Sequence, residues 1–136
     1  MKKLIQVLTI TLLTQVNANS QNLVPNPSFE INTGCPQFIG QIDLASGWNS
    51  FAITPDYFNS CALSSSLGVP INGRGYQNAH TGNAYAGILA YRVGTSEREY
   101  IGVGLAQPLI IGQKYFCKFY VSLADASGIR CATNKI

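Results

Sequence analysis

Ten consecutive residues, 115–124, alternate with a period of two. Tyr115, Cys117, Phe119, Val121 and Leu123 fall on one side, and Phe116, Lys118, Tyr120, Ser122 and Ala124 on the other. Successive side chains of an extended strand point to opposite faces, whereas a helix would scatter both sets around its axis. The first set predicts a core face. The single Lys on the second predicts a face that meets water. Two upstream segments repeat the pattern. Across 83–91, Ala84, Ala86, Ile88 and Ala90 share one face, and Tyr85, Gly87, Leu89 and Tyr91 the other. Next, Ile101, Val103 and Leu105 oppose Tyr100, Gly102 and Gly104; Pro108 ends that strand, and Ile111-Gly112-Gln113-Lys114 reads as a turn. Between 34 and 82 the pattern is irregular, with short strands predicted near 48–53 and 56–59. No helical period, heptad or fixed repeat is found after Ala18. Strand signals separated by Gly, Pro, Asn and Ser clusters predict an all-β antiparallel sandwich.

The N-terminus carries a different signal. Lys2 and Lys3 precede a short uncharged apolar stretch, 4–13, and Val16-Asn17-Ala18 puts small residues where cleavage would occur. That is the layout of a secretory signal peptide over 1–18, too short and too interrupted by Thr and Gln to span a bilayer well. The alternative, an N-terminal helix of the folded domain, lacks a cap and an amphipathic stripe. No later segment is apolar enough to span a membrane, so the expected localisation is extracellular or cell-surface. Four cysteines in an exported chain predict disulfides, and four allow three pairings. Sequence order favours Cys35–Cys61 and Cys117–Cys131. A zinc site is disfavoured by the missing C-x-x-C pair and by a single distant His80, and a catalytic thiol would be trapped in an oxidising compartment.

Composition excludes several classes. With 46% hydrophobic and 11% charged residues the chain is too apolar for disorder, and 136 residues hold one ordinary domain. The formal charge of +3 falls to +1 once Lys2 and Lys3 are removed, and Arg74, Arg92, Arg98 and Arg130 are scattered. Neither nucleic acid nor an acidic membrane is an expected partner.

Asn22-Leu23-Val24-Pro25-Asn26-Pro27-Ser28-Phe29-Glu30 is the most specific motif. It resembles the N-L-x-x-N-x-x-F-E opening of jelly-roll carbohydrate-binding modules and related galactose-binding-like domains. Gly47-Trp48, the 81–87 strand entry and Leu105-Ala106-Gln107-Pro108-Leu109-Ile110-Ile111-Gly112-Gln113-Lys114-Tyr115 follow in that family's order. The resemblance covers roughly 22–136. Thr54-Pro55-Asp56-Tyr57-Phe58-Asn59-Ser60-Cys61, Gly75-Tyr76-Gln77-Asn78-Ala79 and Arg98-Glu99-Tyr100-Ile101 look like the N-terminal modules of exported Bacteroidetes surface proteins. Such modules often precede an OmpA-like domain or a type IX secretion sorting tail, which places them at the cell outer membrane. The resemblance implies a jelly-roll module over 19–136 whose later strands are missing, as in a fragment or truncated gene product.

The resemblance also implies a ligand class. Sugar rings stack on aromatic faces while nearby polar groups fix their hydroxyls. Tyr120, Phe116, Lys118, Tyr85 and Tyr91 are the glycan-binding candidates, with core packing as the alternative for each ring; Trp48 and Phe119 are assigned to the core. In related modules the Glu of the F-E pair binds a structural calcium, which would make Glu30 a ligand, with Asp43, Asp56 and Asp125 the remaining acidic donors. The alternative is a solvated carboxylate at a strand end. No catalytic group is expected. Glu97 and Glu99, two apart, read as a solvated strand edge rather than a glycosidase pair. His80 has no G-x-S-x-G elbow to serve, and Gly73-Arg74-Gly75 and Gly102-Val103-Gly104 complete no phosphate loop. The expected function is non-catalytic glycan binding at the surface. A structural or adhesion module of the envelope, or of a gliding-motility-associated protein, is the second expectation. An accessory domain of a secreted hydrolase is the third.

Overall fold

The computed structural model describes residues 21–92 and 94–126. The expected signal peptide and Cys131 lie outside them. The described chain is all-β, with one 3₁₀ turn at Ile42–Leu44 and six short strands. They are β1 (Trp48–Ala52), β2 (Asp56–Asn59), β3 (Ile71–Asn72), β4 (Gly75–Tyr76), β5 (Ala84–Gly87) and β6 (Tyr100–Val103). They pair antiparallel as β1 with β6, β2 with β5 and β3 with β4, giving three two-stranded ladders.

The four longer strands stand where strands are expected: β5 and β6 within the alternating segments, β1 and β2 at the short strands near 48–53 and 56–59. In the β2–β5 ladder, Asp56 faces Gly87, Tyr57 faces Ala86, Phe58 faces Tyr85 and Asn59 faces Ala84. Gly87 leaves room for the Phe58 ring, which stacks on Tyr85 with centroids 5.0 Å apart. In the β1–β6 ladder, Trp48 faces Val103 and Ser50 faces Ile101, and a bulge then shifts the register before Ala52 meets Tyr100. Both ladders feed one apolar cluster. Ile42, Ala45, Tyr57 and Ala84 are buried at its centre, and Phe29, Leu44, Trp48, Ala86 and Ile101 pack against them. Trp48 therefore takes its expected core place. The expected turn is present as well: Gln113 N–H donates to the Ile110 carbonyl at 3.1 Å, and Gly112 sits at φ 81°.

The opening motif organises this core. The Asn26 side chain donates to the carbonyls of Ile31 (2.8 Å) and Ser46 (3.0 Å) and accepts from the Ile31 amide (3.0 Å). Trp48 Nε1 donates to the Asn26 carbonyl at 2.9 Å, and the Trp48 ring lies 4.6 Å from that of Phe29. Glu30 Oε1 accepts from the amides of Asn83 (2.8 Å) and Ala84 (2.9 Å), which fixes the entry of β5. Gly82, at φ 69°, makes this possible, because a Cβ there would run into the Glu30 carboxylate. The expected Cys35–Cys61 disulfide is formed, with Cα atoms 5.6 Å apart, inside the window such bonds need.

One strand expectation is corrected. Residues 115–124 are extended but belong to no ladder, and among the described residues no backbone hydrogen bond holds them. Tyr115, Cys117, Phe119, Val121 and Leu123, the expected core face, are all exposed, as are Phe116, Lys118 and Tyr120 on the other side. Alternation decides which side chains share a face; it does not supply a neighbouring edge or a layer to cover that face. The 97–99 segment is corrected too. It precedes β6 and is not strand.

Candidate functional site

The aromatic candidates do not share one sheet face. Tyr85 lies in β5, half-buried between the Phe58 ring and Asn72, whose Nδ2 donates to the Tyr85 hydroxyl at 2.6 Å. Burial raises the Tyr85 hydroxyl above its ordinary pKa, the Asn72 bond opposes that, and the Asp125 charge adds to it. Tyr91 is exposed beyond β5, with the Arg98 guanidinium 5.2 Å from its ring centroid, inside cation–π range. Phe116 is almost fully exposed.

Tyr120 is the candidate that acquires a setting. Its ring stacks on His80, with centroids 3.6 Å apart and planes inclined by 23°. The Lys118 ammonium stands 4.9 Å from the same ring, and Tyr120 keeps 59% of its surface. A second anchor follows at once. Asp125 and Ala126 N–H donate to the Arg74 carbonyl at 3.1 and 3.0 Å, and Asp125 Oδ1 accepts from the Tyr76 amide at 2.8 Å. Gly75, at φ 120°, lies under this contact, and a Cβ there would occupy the place of the Asp125 carboxylate. The chain leaves the body after Ala106, whose N–H donates to the Leu23 carbonyl, and returns at His80 and the β3–β4 hairpin. The result is an exposed surface with stacked His80 and Tyr120 rings beside an ammonium. The rings can accept the apolar face of a ligand, and the ammonium can donate to its oxygens. His80 is the residue that sequence reasoning missed here; 40 positions separate it from Tyr120, and no local pattern joins them.

The carboxylates are mostly structural. Asp56, buried in β2, accepts from the Gly40 amide at 2.9 Å through Oδ1 and from Arg74 Nη2 at 3.0 Å through Oδ2. Glu99 accepts from the Leu89 amide at 2.7 Å through Oε2, and from the amide and hydroxyl of Thr54, both at 3.3 Å, through Oε1. It braces three segments and is not the solvated edge expected of it. Glu97 pairs with Arg92 at 3.0 Å, and that bond holds its carboxyl below the usual range. For the calcium expected at Glu30, no group of three or more His, Cys, Asp or Glu side chains comes together among the described residues. The nearest donors to Glu30 Oε1 are two amide N–H groups, which already supply positive dipoles. Cys117 is an exposed thiol without a disulfide partner among the described residues.

No family model, curated protein or solved structure matches the chain. Among the described residues no helix is long and apolar enough to cross a membrane.

Proposed function

We propose that this chain is an exported, non-catalytic binding module of the galactose-binding-like, jelly-roll type, and that it takes a glycan on the His80–Tyr120 surface. The observation that carries this reading is the exposed Tyr120 ring, stacked on His80 with Lys118 beside it. A hydroxylated ring can lay its C–H face against the aromatic pair while the ammonium and the nearby Ser122 hydroxyl reach its oxygens. Phe116 can widen the platform. Tyr85 contributes less, because it is half-buried with its hydroxyl held by Asn72, and among the described residues Tyr91 has a cation beside it but no stacked ring. The Cys35–Cys61 bond supports an oxidising destination.

The test is a titration against a glycan panel of the unmodified chain, Tyr120→Ala, His80→Ala and Lys118→Ala. Loss of one stacked ring corresponds to about 0.5–1.5 kcal/mol, or a roughly two- to tenfold weaker affinity. Equal affinity in all four proteins removes the site. No binding of any glycan by the unmodified chain favours the envelope structural module instead. The exposed apolar stretch 115–124 is the observation that speaks for that second reading.

A further inference from the structure

Residues 114–124 present an extended backbone whose peptide groups form no ladder among the described residues, and apolar side chains on both sides. Phe116 is 98% exposed, Val121 85%, Phe119 75%, Tyr120 59% and Tyr115 39%. An exposed, unpaired, apolar strand is a template for pairing with another chain. Such segments in stable monomers are short, bulged or guarded by charge. This one carries only Lys114 and Lys118. Its four aromatic rings alone leave roughly 400–700 Å² uncovered. With Val121 and Leu123 added, it approaches the ~800 Å² that each partner gives to a stable interface.

We infer that this segment pairs antiparallel with the same segment of a second copy, about a twofold axis at Cys117. Keeping the two lysines apart and setting both of them against aromatic rings selects the register. An axis at Phe116 sets Lys114 against Lys118 of the other copy, and an axis at Lys118 sets that lysine against itself; like charges directly opposite are destabilising. With the axis at Cys117, Lys118 lies opposite Phe116, Lys114 opposite Tyr120, and Tyr115 opposite Phe119. Both cations then meet aromatic rings, and the remaining pair is aromatic with aromatic. The pairing is argued from the unpaired backbone and the placing of the two lysines, and does not rest on the glycan reading. The pairing is isologous, with the same edge serving both copies, so one such interface joins two chains.

The experiment is sedimentation equilibrium of the purified chain over a concentration series, beside Phe119→Glu. Phe119 is exposed and outside the core cluster, so this variant keeps the fold, which circular dichroism and an intact Cys35–Cys61 bond verify. The expected result is a mass that rises from one chain to two and stops there, with the dissociation constant raised at least tenfold by Phe119→Glu. In Cys131→Ser, Cys117 is the one thiol left outside the Cys35–Cys61 bond, and mild copper-catalysed air oxidation is expected to give a reducible Cys117–Cys117 dimer. A single-chain mass at every concentration overturns the inference. So does a dimer indifferent to Phe119→Glu, a mass that climbs past two without a plateau, or a dimer that does not cross-link through Cys117.

Discussion

Tyr57→Phe removes one oxygen from a fully buried point of the described core. The Tyr57 side chain is inaccessible to water, and its ring sits at the centre of the apolar cluster, so the substitution changes neither volume nor packing. The hydroxyl donates to the Phe29 carbonyl at 2.9 Å and accepts from Asn59 Nδ2 at 2.7 Å. Asn59 is itself buried, so its amide loses a partner with no water to replace it, at a cost of about 1–3 kcal/mol. The Phe29 carbonyl lies nearer the surface and loses about 0.5–1.5 kcal/mol. The expected loss is about 1.5–4.5 kcal/mol in urea unfolding followed by tryptophan fluorescence, with an unchanged denaturant slope. A loss under about 0.5 kcal/mol, the size of an ordinary surface substitution, would refute the buried network. The same hydroxyl sets an alkaline limit. Burial is the main cause that raises its pKa above the ordinary 10.0, and the Glu30 charge adds to this against the opposing bonds to Asn59 and Asn32. The folded state therefore holds the proton longer than the unfolded one. The stabilisation is full below the unfolded pKa near 10 and is lost as pH rises through the higher folded value. Tyr57→Phe should flatten that part of the alkaline stability curve, leaving the share due to Tyr85, which burial shifts in the same direction.

Two further perturbations follow from the same contacts. Cys35→Ser with Cys61→Ser opens a loop of 26 residues, for which chain entropy predicts a loss of roughly 3.5 kcal/mol, measurable by calorimetry against the oxidised protein. Gly82→Ala places a Cβ against the Glu30 carboxylate at a left-handed backbone position, so it should cost at least the ~1–2 kcal/mol of that conformation. Amide exchange at Asn83 and Ala84 should rise in that variant, and unchanged protection there would show that Glu30 does not hold the β5 entry.

What the sequence made legible is what depends on neighbours along the chain. Period two located β5 and β6, which lay Ala84, Ala86 and Ile101 on the cluster around Tyr57; β1 and β2 lie in the irregular stretch, and β2, buried at every residue, shows no alternation. Period two missed β3 and β4, which have two residues each and carry no period at all. Its clearest case failed, and the reason is physical. Alternation in 115–124 reports a segment able to be a strand, whereas a ladder also needs a second edge within reach, and that is a property of the whole chain. Carboxylates divide in the same way. Glu97 and Glu99 look equivalent two residues apart, yet one pairs with Arg92 at the surface and the other joins Thr54, 45 positions away, to Leu89.

The candidate site sits on the same divide. Tyr120 and Lys118 are two residues apart, and the pleat predicts their shared side. His80 meets them across the fold, beside the point where Asp125 fastens the returning chain to the Arg74–Tyr76 backbone. Gly75 is what admits that fastening, so the position of the Tyr120 ring depends on a residue that touches neither ring. The opening motif has a similar reach. Asn26, Phe29 and Glu30 are close in sequence, but their partners are Ser46, Trp48 and the Asn83–Ala84 amides. A short motif can therefore be specific through what it assembles. In this chain its residues build the core and the β5 entry, and the surface proposed to take a ligand is built elsewhere, from the segment whose alternation found no sheet.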